Sequence, residues 1–477
     1  MTHTLAWVRL SLAGCAVVAG SAGCGRETTP TPSGGATPSA SATAAASSSA
    51  VPGGPACVAE PERVWVKGAD ARAGLTETKL ASGKVAVGLA VGSRPHVLVV
   101  DASGNGELVA LDVDGASPLA KRLDGTRHLQ RVTPAAGSGG GVRGFVDYRD
   151  KRADGTRRVA CGPVSSSQPL VEFDGKPLLD VDDTGKGRTA ALASAAPPPG
   201  SAEAPPPGSG AGAGAAAPAQ DMAVATRREL RDCRTIVDPG GEVAWALSSE
   251  LEGKPAGDKT KWSMRFVSDS PGGKGRSVVH SIPLPAEPTK LHTFENAIAY
   301  RRENAEFVVA ARYQGALWVW QLDSERRRKS GPRIYRGGYP TLPHFVADGA
   351  DTLLLSALRA PSGTWGARWG RIGASGLPAT LEPITVPDAQ SSVSEPWIAL
   401  LGAQRWLAHH AGDPKSPALR VVPVDARLAV QGPSFTVAEA NVLESRTFAV
   451  GGGRLVAVYL RSGQSTELVS RAVRCGG

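Results

Sequence analysis

The run from Phe307 to Leu322, FVVAARYQGALWVWQL, constrains the fold of this chain more than any other stretch. Two segments rich in Val, Phe, Tyr and Trp are cut by Gln314-Gly315, the sequence form of two antiparallel strands joined by a tight turn. The form recurs. Thr352 to Leu358 precedes Trp365 to Ile372, Arg405 to His410 precedes Ala418 to Val424, and Arg454 to Leu460 precedes Glu467 to Val473. Their starts lie roughly 45 to 53 residues apart, the period at which a four-stranded blade repeats. Weaker copies stand at Glu242 to Leu247 with Trp262 to Val267, at Val142 to Tyr148 with Arg157 to Cys161, and at His96 to Val100 with Glu107 to Val113, the last preceded by Val85 to Leu89.

About eight such signals predict an all-β chain folded as a β-propeller of seven, alternatively eight, blades. One twisted blade cannot bury both faces, and radial stacking covers each face with a neighbour. Two stacked β-sandwich domains share the same strand spacing and stay open at this point. Long helices are not expected, because 58 Gly and 37 Pro interrupt the chain too often.

Residues 1–23 carry Arg9, an apolar run LSLAGCAVVAG and small residues before Cys24, the pattern of an export signal too short to span a bilayer. Ser21-Ala22-Gly23-Cys24 resembles the lipobox of bacterial lipoproteins. That resemblance implies a lipid on Cys24 and, with Gly25 after it, sorting to the outer membrane; Leu12-Ala13-Gly14-Cys15 is the competing match. Residues 24–56 are built of Ser, Thr, Ala, Pro and Gly and are expected to be a disordered tether, leaving 57–477 as the propeller. The Pro- and Gly-rich tract at 195–220 reads as a loop insertion. Arg188 to Ala193 is taken as the first strand of its hairpin and Met222 to Leu230 as the second.

Of six cysteines, Cys57, Cys161, Cys233 and Cys475 remain once Cys15 leaves with the signal and Cys24 is acylated. An even number in an exported chain predicts disulfides. Position favours Cys57 with Cys475, closing a ring, and Cys161 with Cys233 between adjacent blades. Zinc is disfavoured, since no two thiols have ligand spacing.

HVLVVDASGNGELVALDVDG, His96 to Gly115, resembles one NHL repeat, a propeller blade unit. Asp101, Ser103, Asn105 and Asp112 also sit at positions of a calcium loop, against the simpler reading of an Asn-Gly turn in which Asp101 and Ser103 bond their own backbone. No cofactor is expected, with calcium at this loop as the alternative. Asp180, Asp182 and Asp183 form a similar acidic turn with Lys186 and Arg188 beside it.

No G-x-S-x-G, H-E-x-x-H or P-loop pattern is present. His409 and His410, adjacent in a strand, should face opposite sides, one packed and one solvated. The net charge of +9 is thinly spread apart from Arg326 to Lys329, which reads as a solvated loop and lacks the interleaved aromatics of a nucleic-acid surface. The expectation is a monomeric, lipid-anchored envelope propeller, non-catalytic, binding or scaffolding a protein or glycan but not nucleic acid. The alternative is an envelope hydrolase or lyase acting on polysaccharide at the propeller axis.

Overall fold

The computed structural model describes residues 57–80, 82–101, 103–111, 128–137, 141–151, 156–165, 170–175, 179–181, 187–189, 227–237, 244–256, 259–270, 275–284, 295–302, 304–313, 315–341, 343–360, 364–386, 394–401, 403–413, 415–450 and 453–475. They form seven antiparallel blades and, among the described residues, no helix. Blade 1 runs Thr76–Lys79, Val85–Val91, Arg94–Val100, Gly106–Ala110. Blade 2 runs His128–Ala136, Val142–Lys151, Arg157–Pro163, Val171–Gly175, and blade 3 Arg227–Val237, Ala244–Ala256, Lys259–Asp269, Arg276–Pro283. The Phe307 hairpin supplies the middle of blade 4, between Glu295–Arg301 and Arg328–Tyr335. Blades 5 and 6 are built around Asp351–Arg359 with Trp365–Ile372 and around Gln404–Ala411 with Ala418–Val424, their first strands being His344–Asp348 and Ser394–Leu401.

Blade 7 takes Val442–Val450, Arg454–Arg461 and Glu467–Cys475 from the end of the chain and is completed by Cys57–Ala59 and Arg63–Lys67 from its beginning. Closure therefore lies inside one sheet, where Cys57 pairs in register with Cys475 and is disulfide-bonded to it across 418 residues. The peptide chain itself then crosses from blade 7 to blade 1. First strands of successive blades touch one another, as between blades 1 and 2, 2 and 3, 3 and 4, and 6 and 7, so they line the axis.

Each of the seven seams between blades has its own apolar cluster. Trp245 and Phe266 of blade 3 meet Phe307 and Trp320 of blade 4, and Leu353 and Trp369 of blade 5 meet Ile398 and Leu407 of blade 6. A middle strand is thus covered on both faces, which is why Phe307–Tyr313 is nearly all buried. The same covering corrects the expectation for His409 and His410. Their rings do face opposite seams, but both are buried, at 1% and 2% exposure.

The eighth hairpin signal is also corrected. Leu179–Val181 pairs with Gly187–Thr189 in a separate two-stranded sheet, and Arg227–Val237 pairs with Ala244–Ala256 rather than with the run from Arg188. A ladder of ten pairs across a short connection outweighs a hairpin that must close a loop of some thirty residues. The tract at 195–220 and the segments 1–23 and 24–56 lie outside the described residues.

Candidate functional site

The four cysteines form the two expected disulfides. Cys161 sits on the third strand of blade 2 and Cys233 on the first strand of blade 3, so this bond ties neighbouring blades together. Cys24 lies outside the described residues, as does Asp112.

Asp101, Ser103 and Asn105 form the turn between the last two strands of blade 1. One carboxylate oxygen of Asp101 accepts the backbone N–H of Ser103 (2.8 Å) and of Asn105 (3.0 Å) and the Ser103 hydroxyl (2.6 Å), and these bonds hold its pKa below the usual range. The same turn recurs at Asp323 in blade 4 and Asp425 in blade 6, where each Asp accepts the N–H groups two and four residues on. The fourth residue has positive φ in all three: Gly104, Arg326 and Leu428. Three sequences that share only the leading Asp give one geometry, so the carboxylate closes the turn. Among the described residues no three His, Cys, Asp or Glu are grouped to hold a metal.

The basic cluster Arg326 to Lys329 is tied down locally. Arg327 pairs with Asp323 and Glu325, Lys329 with Glu306, and Arg328 donates to His280.

Isolated charges along the chain converge at the axis. Glu77 arrives on the first strand of blade 1, Arg131 on that of blade 2, and Glu444 with Arg446 on that of blade 7. Arg446 is 6% exposed. Its Nε donates to Glu77 (2.9 Å), and its Nη2 to Glu444 (2.8 Å) and to the Leu75 carbonyl (2.7 Å). The Trp397 ring of blade 6 supports the guanidinium, at 5.3 Å from ring centroid to Cζ, and His344 of blade 5 meets that ring edge-on. Two carboxylates from different blades thus share one cation, and both keep partial exposure within a mostly buried surround.

Behind them lies a second layer. Asp147, beside Arg131 in the ladder of blade 2, accepts both the N–H and the hydroxyl of Thr235 in blade 3 at 2.9 Å. Arg234 stands between Asp147 (3.9 Å) and Asp232 (3.4 Å). Burial raises the Asp147 pKa to about 6 despite Arg234, Arg131 and the Thr235 bonds.

A groove of 890 Å³ lies elsewhere, between blades 4 and 5, lined by Arg302, Glu306, Lys329, Arg333 and Asp351 among others. Its ions are mostly matched. Glu306 holds both Lys329 and Arg302, Arg302 also donates to the carbonyls of Ala350 and Ile372, and Asp351 pairs with Arg371.

Sequence reasoning missed the axial residues, because each is a single charge in a strand. A signal was present in VLESRTFAV. Glu444 and Arg446 are two apart, so they share a face in a strand that is otherwise largely apolar.

No family model matches the chain and no curated protein matches it. Among solved structures, it is similar to an endo-1,4-beta-xylanase from Bacteroides thetaiotaomicron, at 10% identity and TM-score 0.30, over 51% of this chain and 93% of that one. It is similar to a puromycin-hydrolyzing peptidase of Mycobacterium tuberculosis at 14% identity and TM-score 0.41, over 86% of this chain and 54% of that one. An exo-beta-1,3-galactanase of Phanerochaete chrysosporium gives 11% identity and TM-score 0.29, over 46% and 58%. The chain spans little more than half of the last two. At these values the likeness carries no argument about this chain's activity. The expectation of a non-catalytic module rested on missing acid–base chemistry. That premise fails where Glu77 and Glu444 meet at Arg446, and the expectation is corrected accordingly.

Proposed function

We propose that this chain is a cell-envelope enzyme that hydrolyses polysaccharide at the propeller axis. The observation that carries the reading is the pair Glu77 and Glu444, delivered by blades 1 and 7 to one guanidinium. Glycoside hydrolysis needs one carboxyl to protonate the leaving oxygen and a second to attack the anomeric carbon or activate water. Glu444 faces two cations, Arg446 in contact and Arg131 nearby, and takes the role of nucleophile or base. Glu77 faces Arg446 across the blade seam and takes the role of acid. Arg446 is a positioning residue, held by the carbonyls of Leu75 and Ser445 so that it cannot swing away from the pair.

Two disulfides fit an oxidising compartment, and with the lipobox-like Cys24 they support an exported, lipid-anchored protein. Release of reducing ends from a panel of polysaccharides tests the activity. Glu444→Gln and Glu77→Gln should each lower the rate by about 10²–10⁴-fold. Full activity in both variants, or no polymer shortened by the wild type, would overturn the reading.

A further inference from the structure

The groove between blades 4 and 5 closes its own ion pairs without a ligand, and what it leaves over is hydrogen-bond donors. Its acceptors are taken: Glu306 by Lys329 and Arg302, Asp351 by Arg371, and the side-chain oxygen of Asn304 by the Glu306 N–H at 3.2 Å. Lys329 spends one of its three ammonium donors on Glu306. Arg333, an exposed lining residue, makes no side-chain hydrogen bond or ion pair among the described residues.

A buried donor joins these. Gln321 lines the groove and is 5% exposed. Its side-chain oxygen accepts the Ser330 hydroxyl at 2.6 Å, and its amide nitrogen has no partner among the described residues. Buried polar groups are ordinarily hydrogen-bonded, so one left open beside a cavity calls for a partner. The outer strand of blade 4, Arg328–Tyr335, is shaped to the same place. Arg333 stands opposite Val319 and Ser330 opposite Gln321, with a register shift between the two pairs. Three residues apart, Ser330 and Arg333 would face opposite sides of a regular strand. The shift sets both on the side of Val319, which shares an apolar cluster with Leu354 and Ile372 of blade 5.

We infer that this groove binds a phosphate monoester, carried by a soluble metabolite or by a lipid headgroup. A monoester offers three strong acceptor oxygens and up to about two negative charges, which suits an ammonium, a guanidinium and an amide set on two neighbouring strands. A carboxylate has two oxygens in one plane, and the fork of Arg333 alone would satisfy it, leaving the Gln321 amide open. The site is separate from the axial carboxylates and does not depend on the hydrolase reading.

Calorimetric titration of the full chain with glycerol phosphate, with glycerate and with a short-chain phosphatidic acid tests the inference. Glycerol phosphate should bind more tightly than glycerate by about tenfold or more, and Arg333→Ala should weaken it by about ten- to a hundredfold. Gln321→Glu should abolish binding by replacing the open donor with an acceptor, and Arg333→Ala, at an exposed position, keeps the test decisive if that variant fails to fold. Tighter binding of the phosphatidic acid than of glycerol phosphate assigns the lipid headgroup, and weaker binding assigns the soluble ester. No saturable binding of either phosphate by the wild type, equal affinity for glycerate, or an affinity unchanged in Arg333→Ala would overturn the inference.

Discussion

Two polar regions of this molecule differ in how their charges are brought together. The groove between blades 4 and 5 offers 890 Å³, and its cations meet acids close by: Arg302 with Glu306 four residues on, Lys329 with the same Glu306 from the facing hairpin. The axial group joins residues far apart in the chain, with Glu77 and Arg446 separated by 369 positions, and it sets two carboxylates against one guanidinium. Local pairing finishes a blade edge and needs no ligand. Long-range convergence with leftover charge costs stability and is hard to explain by folding alone. Room therefore says less about function here than imbalance does.

The contrast can be broken most forcefully at the closure of blade 7. In the chain-entropy model the Cys57–Cys475 bond contributes up to about 6 kcal/mol, against about 4 for Cys161–Cys233 with its separation of 72 residues. Cys475→Ser should lower the unfolding midpoint more than Cys233→Ser. In hydrogen exchange it should loosen Glu467–Cys475 and Cys57–Ala59 at the outer side of blade 7 while the groove keeps its protection. Equal losses from the two variants would deny that closure has a special place.

Next comes the shared cation. Arg446→Met strands Glu77 and Glu444 together and should cost about 3–5 kcal/mol in chemical denaturation, along with hydrolysis. Arg302→Met in the groove should also destabilise, through the lost bonds to Ala350 and Ile372, yet leave hydrolysis unchanged. Loss of hydrolysis in the groove variant would exchange the roles of the two regions.

A smaller effect is read through pH. Asp147 holds its proton more tightly when folded (about 6) than an unfolded aspartate does (about 3.9), so the folded state binds the extra proton between those values. Stability should consequently fall as pH rises from about 4 to 6, by up to about 3 kcal/mol, and stay lower above that. Asp147→Asn should flatten this slope, and a slope unchanged in the variant would assign it to another group. The smallest effect belongs to the groove rim. Lys329→Ala removes a largely exposed ion pair with Glu306 and should shift stability by less than about 1 kcal/mol.

The scaffold was more legible in the sequence than the site. Phe307 to Leu322 and its three later copies are middle strands covered on both faces, so they appear as dense apolar runs that any period search finds. The disulfides were legible because Cys57 and Cys475 had to meet if a ring closed at all. Blade 3 was harder. RRELRDCRTIV reads as a surface segment, yet Glu229, Arg231 and Arg234 are buried with ion pairs to one another or to nearby acids. The axial residues were least legible of all. Glu77 stands in TETK and Arg131 in HLQRVTPAA, stretches whose charges are unremarkable until ring closure brings the inner strands together. Periodicity predicts which residues share a face of one strand, whereas a site built from three blades depends on contacts that no local pattern encodes.

The most direct test is a crystal structure of the Glu77→Gln protein soaked with an oligosaccharide of the polymer it shortens. The account predicts sugar density along the axis, with a glycosidic oxygen between positions 77 and 444. Density confined to the groove between blades 4 and 5, or an axis left empty at saturating ligand, would contradict it.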